Sequence, residues 1–396
     1  MGLSFELSPE QAAIRDTCRD FARQVVAPQA AEWDRRQEFP YPVVTAMAEL
    51  GLFGLPYPEA VGGAGADFVS YLLALEEIAR ADASLAITLE AAVSLGIAPI
   101  FYFGTDEQKQ RYLPQLCAGT KLWAFGLTEP EAGSDAGGTK TRARREGAEW
   151  VIDGSKCFIT NAGTDISAGV TLTAVTAEED GRKRISAILV ERGTPGYEVG
   201  AAYHKLGWHA SDTRELTFAG CHVPEANLLG KEGGGLGQFF KALEAGRVAI
   251  AALAVGLAQA CLDASLGYSQ ERRQFGRPIS QFQATQLKLA DMETQIELSR
   301  LMVWRAGVLI DQDRPAGKFA AMAKLHASET ATWCANQAVQ IHGGAGFMED
   351  LPVARYYRDV KINEIGEGTS EVQRLIIASH LLGLGGSVSK LLDQRP

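Results

Sequence analysis

Hydrophobic positions change their spacing twice along the chain, and these changes divide it into three regions. Up to about residue 120, and again from Gly237 onward, apolar residues recur at the three- and four-residue spacing of helices. Short, partly alternating runs typical of strands begin at about Trp123. The pattern predicts a multidomain α+β protein with three parts: an α-helical domain at residues 1–122, an antiparallel β domain at 123–232 and an α-helical bundle at 233–396.

The helical regions contain recognisable start and stop signals. Ser8-Pro9-Glu10-Gln11 combines an N-cap, a proline at the first helical position and a capping-box glutamine. An apolar stretch from Leu85 to Phe103 predicts one helix, or a pair that breaks near Pro99. We interpret Gly62-Gly63-Ala64-Gly65 as a turn, because no strand precedes it and no phosphate-loop Lys-Ser/Thr follows. The other predicted helices are Phe68 to Ile78, Phe239 to Gln270, Phe282 to Asp311, Pro315 to Ile341 and a last helix after Thr369.

The β region is predicted from six short runs and the turn residues between them. Asp153-Gly154 and Gly193-Thr194-Pro195-Gly196 are turn signals, and the glycine-rich stretch Gly230 to Gly237 ends the region. The predicted strands are Thr139 to Arg145, Glu149 to Ile152, Lys156 to Thr160, Gly169 to Val175, Ile185 to Glu191 and Arg214 to Phe218.

Composition narrows the class of protein. The 396 residues exceed what one hydrophobic core usually holds, and a hydrophobic content of 46% is typical of a soluble globular protein. A net charge of -10 argues against a nucleic-acid partner, which would need a basic face. The six cysteines are scattered, without CxxC and without metal-ligand spacing beside the six histidines. We therefore expect free thiols in a reducing compartment and no metal site.

No targeting or membrane segment is predicted. Met1 to Gln11 runs almost directly into a capped helix and leaves no room for a signal or transit peptide. The longest apolar run, Val248 to Ala258, is too short to span a bilayer. We expect a cytoplasmic protein with no membrane partner.

One candidate chemical site lies in the stretch Ile362 to Arg374. Glu367 stands between Gly366 and Gly368, and the spacing of Ser370 and Gln373 predicts a capping box at the start of the last helix. Glycines let a ligand approach closely and a helix N-terminus favours an ionised carboxylate, so Glu367 is a candidate general base. From these residues alone, an acidic helix start with helix-breaking glycines remains the simpler explanation.

Resemblance to a known family favours the chemical interpretation. Glu-Ile-Gly-Glu-Gly-Thr-Ser-Glu-Val-Gln-Arg-Leu, at residues 364–375, resembles the C-terminal signature of the acyl-CoA dehydrogenases, flavoproteins that oxidise acyl-CoA thioesters at the α and β carbons. The resemblance covers nearly the whole chain and implies the three-part fold predicted above. Five further segments resemble family motifs, in the family's order: Phe125 to Asp135, Lys156 to Asn161, Lys205 to Arg214, Arg272 to Gly276 and Gln340 to Gly344.

The resemblance implies that the chain binds FAD. Phe125, Leu127 and Thr128 would lie along the flavin ring. Phe158, where characterised relatives commonly have Trp, would cover the far face, and the Thr160 hydroxyl would approach flavin N5. Without the resemblance, ordinary β-core packing explains Leu127 and Phe158.

The rest of the cofactor is implied to contact more distant segments. Gly133 and Ser134 match positions that contact the pyrophosphate or the CoA arm, and Thr369 would donate to the cofactor from the helix N-terminus. On sequence alone, a pair such as Arg272-Arg273 is more often a solvated helix end. The residues implied to hold the FAD of a neighbouring subunit are Arg272, Gln274, Phe275, Gln340 and Gly344.

The resemblance makes Glu367 the base that removes the α proton as the β hydride passes to flavin N5, giving a trans-2-enoyl-CoA. A minority of the family carries its base at the position of Gly246, which has no side chain to act. Arg247 resembles the family arginine near the base. Helix spacing alone makes Glu244 a surface residue or a partner of Arg247. The implied substrate contacts are Ser134, Glu244, Arg247 and Gly368.

Substrate and partners are implied less narrowly. The run Met292 to Arg305 is more similar to short-chain, butyryl-type relatives, and Gly366 in place of a common Tyr would admit a branched or aromatic acyl chain. The resemblance implies an acyl-CoA substrate, an electron-transferring flavoprotein as electron acceptor and a homotetramer. Two alternatives remain: an acyl-CoA oxidase, a class that usually carries a further C-terminal domain, and a non-catalytic, DNA-associated FAD-binding relative.

Overall fold

Helices from both ends of the chain pack into one core, and a β sheet with its own core lies beside them. The computed structural model describes residues 5–385 and residue 388, so the outermost residues of the first and third predicted domains lie outside this description. The capping box at Ser8 and Gln11 is confirmed. The helices are α1 Pro9–Phe21, α2 Ala27–Arg36, α3 Tyr41–Glu49, α4 Phe68–Ala81, α5 Ala83–Glu90, α6 Ala98–Phe103, α7 Asp106–Cys117, α8 Gly235–Glu271, α9 Gln283–Asp311, α10 Gly317–His342, α11 Pro352–Asp359 and α12 Ser370–Leu381.

The predicted break near Pro99 is wrong, because the chain stays helical from α5 through α6. A π-helical segment, Ala91–Ile97, joins the two, and Pro99 falls in the first turn of α6, where a missing backbone N–H costs little. The wider π turns absorb the change of spacing that the sequence suggested.

Two helical stretches of the described chain are long and apolar enough to cross a membrane by length and composition. They are Ala83–Phe103, with 21 residues, and Gly235–Glu271, with 37 residues. The sequence analysis, which took Val248 to Ala258 as the longest apolar run, therefore underestimated the length of the apolar helices. In both stretches the apolar window is mostly buried inside the protein, at 89% and 83%, so core packing accounts for its composition.

The middle region forms an eight-stranded sheet with the order β6-β7-β3-β2-β4-β5-β8, and β1 pairs with β4. Most pairs are antiparallel, as predicted, but β1 runs parallel to β4. The hairpin of β2 and β3 lies between them in sequence, and such a long connection allows the parallel arrangement. The strands are β1 Leu122–Gly126, β2 Arg142–Glu146, β3 Glu149–Thr160, β4 Ser167–Glu179, β5 Arg182–Glu191, β6 Tyr197–Ala202, β7 Thr213–Pro224 and β8 Leu228–Leu229.

Two predicted strands are in fact one. Asp153-Gly154 was interpreted as a turn, but β3 continues through it, with a register shift against β7 between Ile152 and Gly154. A Cβ on Gly154 would lie 2.7 Å from the Thr141 Cα, so the glycine permits a close approach inside the sheet. Strands β1, β6 and β8 were not predicted, because β1 is a short apolar run, β6 is largely exposed and β8 has only two residues.

Candidate active site

The loop that carries Glu367 is held from two sides. Glu367 has φ 54°, in the left-handed region that non-glycine residues avoid, and Gly368 follows with φ 99°. Lys324 of α10 donates from Nζ to the Gly368 carbonyl at 2.7 Å, and Gln373 Nε2 donates to the same carbonyl at 2.9 Å. These bonds offset a backbone strain of about 1 kcal/mol.

Helix α12 begins one residue earlier than the predicted capping box implies. Thr369 is the N-cap, and its side chain accepts a hydrogen bond from the Val372 N–H at 3.2 Å. Ser370 has a buried hydroxyl without a partner in the described residues, and Gln373 points back to the loop instead of capping. The predicted pair therefore failed because the hydroxyl of Thr369 already occupies the capping position.

We expect Thr369→Ala to loosen the start of α12, because it removes this cap, which is worth about 1 kcal/mol. Amide exchange of peptides that span residues 366–381 should accelerate about fivefold. Ser370→Ala is the matched control and should leave exchange unchanged or slower, since its hydroxyl has no partner in the described chain. Faster exchange in Ser370→Ala than in Thr369→Ala would contradict the assignment.

The Glu367 side chain points into the protein, toward α8. Both carboxyl oxygens are buried, and apart from a contact with Glu90 they have no hydrogen-bond partner among the described residues. The space is left by Gly246, because a Cβ there would overlap Glu367 Oε2 and lie 3.0 Å from the carboxyl carbon. The absence of a side chain at Gly246 therefore leaves room for the Glu367 carboxylate.

The surroundings of Glu367 place its titration near neutrality. Burial raises the pKa of its carboxyl to about 7, against hydrogen bonding from Glu90 and the positive charges of Lys324 and Arg247, which lower it. A carboxyl with a pKa near the working pH is well matched to act as a general base.

Glu90 is a residue of this site that the sequence analysis missed. It is the last residue of α5 and is 0% exposed, and its contact with Glu367 raises its own pKa beyond the effect of burial, which comes first. A signal was available, since Glu90 is the one charged residue between Ala83 and Phe103. An isolated charge in an apolar helix is rarely buried without a specific role.

The predicted substrate residues on α8 lie beside this pair. Arg247 is close enough for its charge to act on Glu367, and its Nε is buried without a hydrogen-bond partner in the described chain. Burial lowers the pKa of the Arg247 guanidinium. Glu244 is half-buried and pairs with Lys241, with 3.2 Å between Nζ and Oε2, and forms no ion pair with Arg247.

The predicted flavin-ring segments meet at the start of the sheet. The Phe125 ring packs against Phe239 with 4.0 Å between centroids. The Cys157 N–H donates to the Thr128 carbonyl at 2.9 Å and thus joins the 125–128 segment to β3. Leu127, Thr128 and Thr160 are half-buried.

Phe158 is not a core residue, contrary to the simpler interpretation. Its side chain is 66% exposed, its φ is 61°, and its ring packs on Tyr203 with 5.4 Å between centroids. It lies where the pairing of β3 with β7 shifts register. An exposed aromatic ring held in a strained conformation beside half-buried apolar residues fits a flat cofactor such as flavin.

Five of the remaining predicted cofactor residues are exposed and lie far from Glu367. Arg272 follows the end of α8, about 39 Å along the helix from Gly246 at about 1.5 Å per residue. Stacking of Tyr268 on His342, with 4.3 Å between centroids, places the second exposed segment beside it. One chain therefore does not bring these residues to its own Glu367. They are Arg272, Gln274, Phe275, Gln340 and Gly344, and Gly133 and Ser134 are exposed as well.

Sequence comparison finds three consecutive matches to one family. The families described as acyl-CoA dehydrogenase N-terminal domain, middle domain and C-terminal domain match residues 8–120, 124–221 and 233–382. The chain is also 53% identical over 381 residues to the probable acyl-CoA dehydrogenase YngJ of Bacillus subtilis (strain 168), and the alignment covers 96% of this chain and 100% of that relative.

Structure comparison agrees and confirms the predicted fold. Butyryl-CoA dehydrogenase from Megasphaera elsdenii has a TM-score of 0.93 and 41% identity, over 96% of this chain and 100% of that chain. A chain solved in work on the electron transferring flavoprotein of Acidaminococcus fermentans and flavin-based electron bifurcation also has a TM-score of 0.93, with 43% identity over 96% of this chain and 100% of that chain.

Proposed function

Because the chain belongs to the acyl-CoA dehydrogenase family, we propose that it oxidises a short-chain acyl-CoA to the trans-2-enoyl-CoA with FAD, and that Glu367 is the base. The observation that carries the proposal is the Glu367 carboxyl. It is buried, held on a strained glycine-flanked loop, and has a pKa of about 7. The likeness to a butyryl-CoA dehydrogenase supports the short-chain preference.

Each residue of the site has a defined task in this reaction. The Glu367 backbone N–H polarises the thioester carbonyl and makes the α proton more acidic, and the Glu367 carboxylate removes that proton. Gly246 leaves room for the carboxylate, and Lys324 fixes the loop through the Gly368 carbonyl. The positive charges of Arg247 and Lys324 favour the ionised base.

The cofactor part of the proposal rests on the predicted flavin-ring segments, which meet at the start of the sheet. Family members are flavoproteins, and the two joined segments carry half-buried or exposed side chains: Phe125, Leu127, Thr128, Phe158 and Thr160. Bound FAD would supply the hydride acceptor at flavin N5. The fixed guanidinium of Arg272 and the Phe275 ring, which is 93% exposed, would hold the far end of the FAD of a neighbouring subunit.

Partners and assembly are part of the same proposal. The likeness to a chain solved in work on an electron transferring flavoprotein supports such a protein as the electron acceptor. Large exposed apolar side chains along α9 support a homotetramer, because monomers rarely leave such rows uncovered. They are Leu287, Leu298, Leu301 and Val308. Six buried free thiols support a reducing compartment such as the cytoplasm.

An anaerobic titration tests the proposed function. Purified protein loaded with FAD should lose its oxidised-flavin absorbance when butyryl-CoA is added. Isobutyryl-CoA, hexanoyl-CoA and an arylpropanoyl-CoA then define the tolerance for branching, length and aromatic groups. Admission of air distinguishes a dehydrogenase, which reoxidises slowly without its flavoprotein acceptor, from an oxidase. Protein that binds FAD yet is bleached by none of the four thioesters would contradict the proposal.

The rate of flavin reduction is expected to rise with pH and to reach half its maximum near pH 7. Only ionised Glu367 accepts a proton, and at low thioester concentration the rate reports the ionisation of the free enzyme. Stopped-flow reduction by butyryl-CoA measures the profile, with FAD retention checked at each pH. A rate that stays constant between about pH 5 and about pH 9 would show that no group of this pKa acts as the base.

A further inference from the structure

The carboxyl of Glu90 lies beside the proposed base and is not explained by the reaction. Neither of its oxygens has a partner in the described residues apart from the contact with Glu367 and the nearby Ser94 hydroxyl. Ser94 lies in the π-helical segment, 3.3 Å from the Tyr71 hydroxyl of α4. A buried carboxyl without a hydrogen-bond partner is energetically costly. An arrangement in which it shares a proton with a neighbouring group is therefore strongly favoured.

The charges around the pair decide which carboxyl holds the proton. Two carboxyl groups in contact cannot both ionise readily, so the pair retains one proton near neutrality. Both cations of the site, Arg247 and Lys324, act on Glu367. The groups that act on Glu90 are Glu367 and the Ser94 hydroxyl, with no cation among them. Glu367 therefore ionises first, and the proton stays on Glu90.

We propose that Glu90 is a positioning residue whose neutral carboxyl O–H donates a hydrogen bond to the Glu367 carboxylate, and so orients the base and favours its ionised form. This inference rests on the proposed function, in which Glu367 removes the α proton. In this role Glu90 acts through Glu367 and takes no proton from the substrate. The hydrogen bond holds one carboxylate oxygen and leaves the other free for the substrate.

The direction of the pH effect follows from the groups that face the pair. Hydrogen bonding from Glu90 lowers the pKa of Glu367, as do Lys324 and Arg247, while burial raises it. Tyr71 feels the charge of both carboxyl groups and is itself neutral, because burial raises its pKa. Loss of the Glu90 donor therefore raises the pKa of Glu367. Three outer carboxylates act on the two cations: Glu244 on Arg247, and Glu364 and Glu371 on Lys324.

The kinetic test compares the pH profiles of flavin reduction in three variants. Glu90→Leu removes the donor and should move the half-maximal rate up by about one pH unit, which makes the rate about tenfold lower in the acid limb. Glu90→Gln keeps an N–H donor and should stay near the wild-type midpoint. Thr88→Val is the matched control on α5, because its buried hydroxyl bonds only to the Ser84 carbonyl among the described residues, at 2.9 Å. An unchanged midpoint in Glu90→Leu, or equal shifts in the Leu and Gln variants, would overturn the proposal.

A second measurement does not depend on turnover. Infrared spectra of the thioester-free protein at about pH 8 should contain a protonated-carboxyl C=O band that Glu90→Leu abolishes and that Thr88→Val and Glu367→Gln retain. Other buried carboxyls, such as Asp359 with a pKa of about 7, contribute equally to the wild-type and variant spectra and cancel when one is subtracted from the other. Loss of the band in Glu367→Gln alone would place the proton on the base and sink the proposal. If no thioester bleaches the flavin, the proposed function fails while this band still decides the location of the proton.

Discussion

Replacing Glu367 with glutamine is expected to leave FAD and acyl-CoA bound while the flavin stays oxidised. The amide matches the carboxylate in size but cannot accept the α proton, and the loss of a general base costs about 10²- to 10⁴-fold in rate. Glutamine also fits the space left by Gly246 and carries no charge to bury. Anaerobic stopped-flow reduction by butyryl-CoA measures the loss, and the spectral shift on thioester addition reports binding.

The matched control for this substitution is Glu364→Gln, three residues earlier on the same segment. Glu364 forms an ion pair with the exposed Lys361, 2.5 Å between Nζ and Oε2, and such pairs contribute at most about 1 kcal/mol. Its flavin should be reduced at close to the wild-type rate. Full reduction of the Glu367→Gln flavin at the same rate as this control would exclude Glu367 as the base.

Addition of a single methyl group at Gly246 should have the second largest effect. The new Cβ would overlap Glu367 Oε2, and the carboxylate would turn away from the position it holds now. Since small displacements of a catalytic group cost about 10²-fold in rate, we expect a loss of that order in Gly246→Ala. The same stopped-flow assay measures it, and thioester binding should weaken much less than the rate.

Gly267→Ala provides the control on the same helix. Apart from the two neighbouring residues and the backbone of its own helix, a Cβ at Gly267 would have no atom of the described chain within 4 Å, and alanine stabilises a helix by about 1 kcal/mol relative to glycine. Its activity should match wild type and its thermal stability should be equal or higher. Equal activity of the two alanine variants would mean that Gly246 does not set the position of the base.

Local patterns were enough to predict the long helices and the Glu367 loop. Helical spacing is repeated many times in α8, and two glycines around one carboxylate mark a loop without knowledge of the fold. The neighbours of that loop were beyond such reasoning. Glu90 and Glu367 are far apart in sequence and meet only because α5 packs against the bundle, so no local spacing relates them. The same limit explains the parallel pairing of β1, which depends on the path of the chain through β2 and β3.

The sequence also could not predict which of two similar neighbouring residues takes a given structural role. Thr369 and Ser370 are both good N-caps, and the choice between them depends on the backbone of the preceding loop. The choice has consequences for the site, because it frees Gln373 to hold the loop carbonyls. The exposure of Phe158 likewise depends on a register shift between β3 and β7 that apolar patterning does not report.

The π-helical segment Ala91–Ile97 directly follows Glu90, and it allows the side of the active site formed by α5 to differ between related chains. A π turn corresponds to one inserted residue within an α-helix, and one residue rotates a helix by about 100°. The segment therefore separates the rotation of α5, which carries Glu90, from that of α6, which is fixed by its own packing. Without the extra residue, α5 would turn by about 100° relative to α6 and would present a different residue to the base. Insertion or deletion in this one segment is thus a route by which related chains exchange the neighbour of the base without rebuilding the fold.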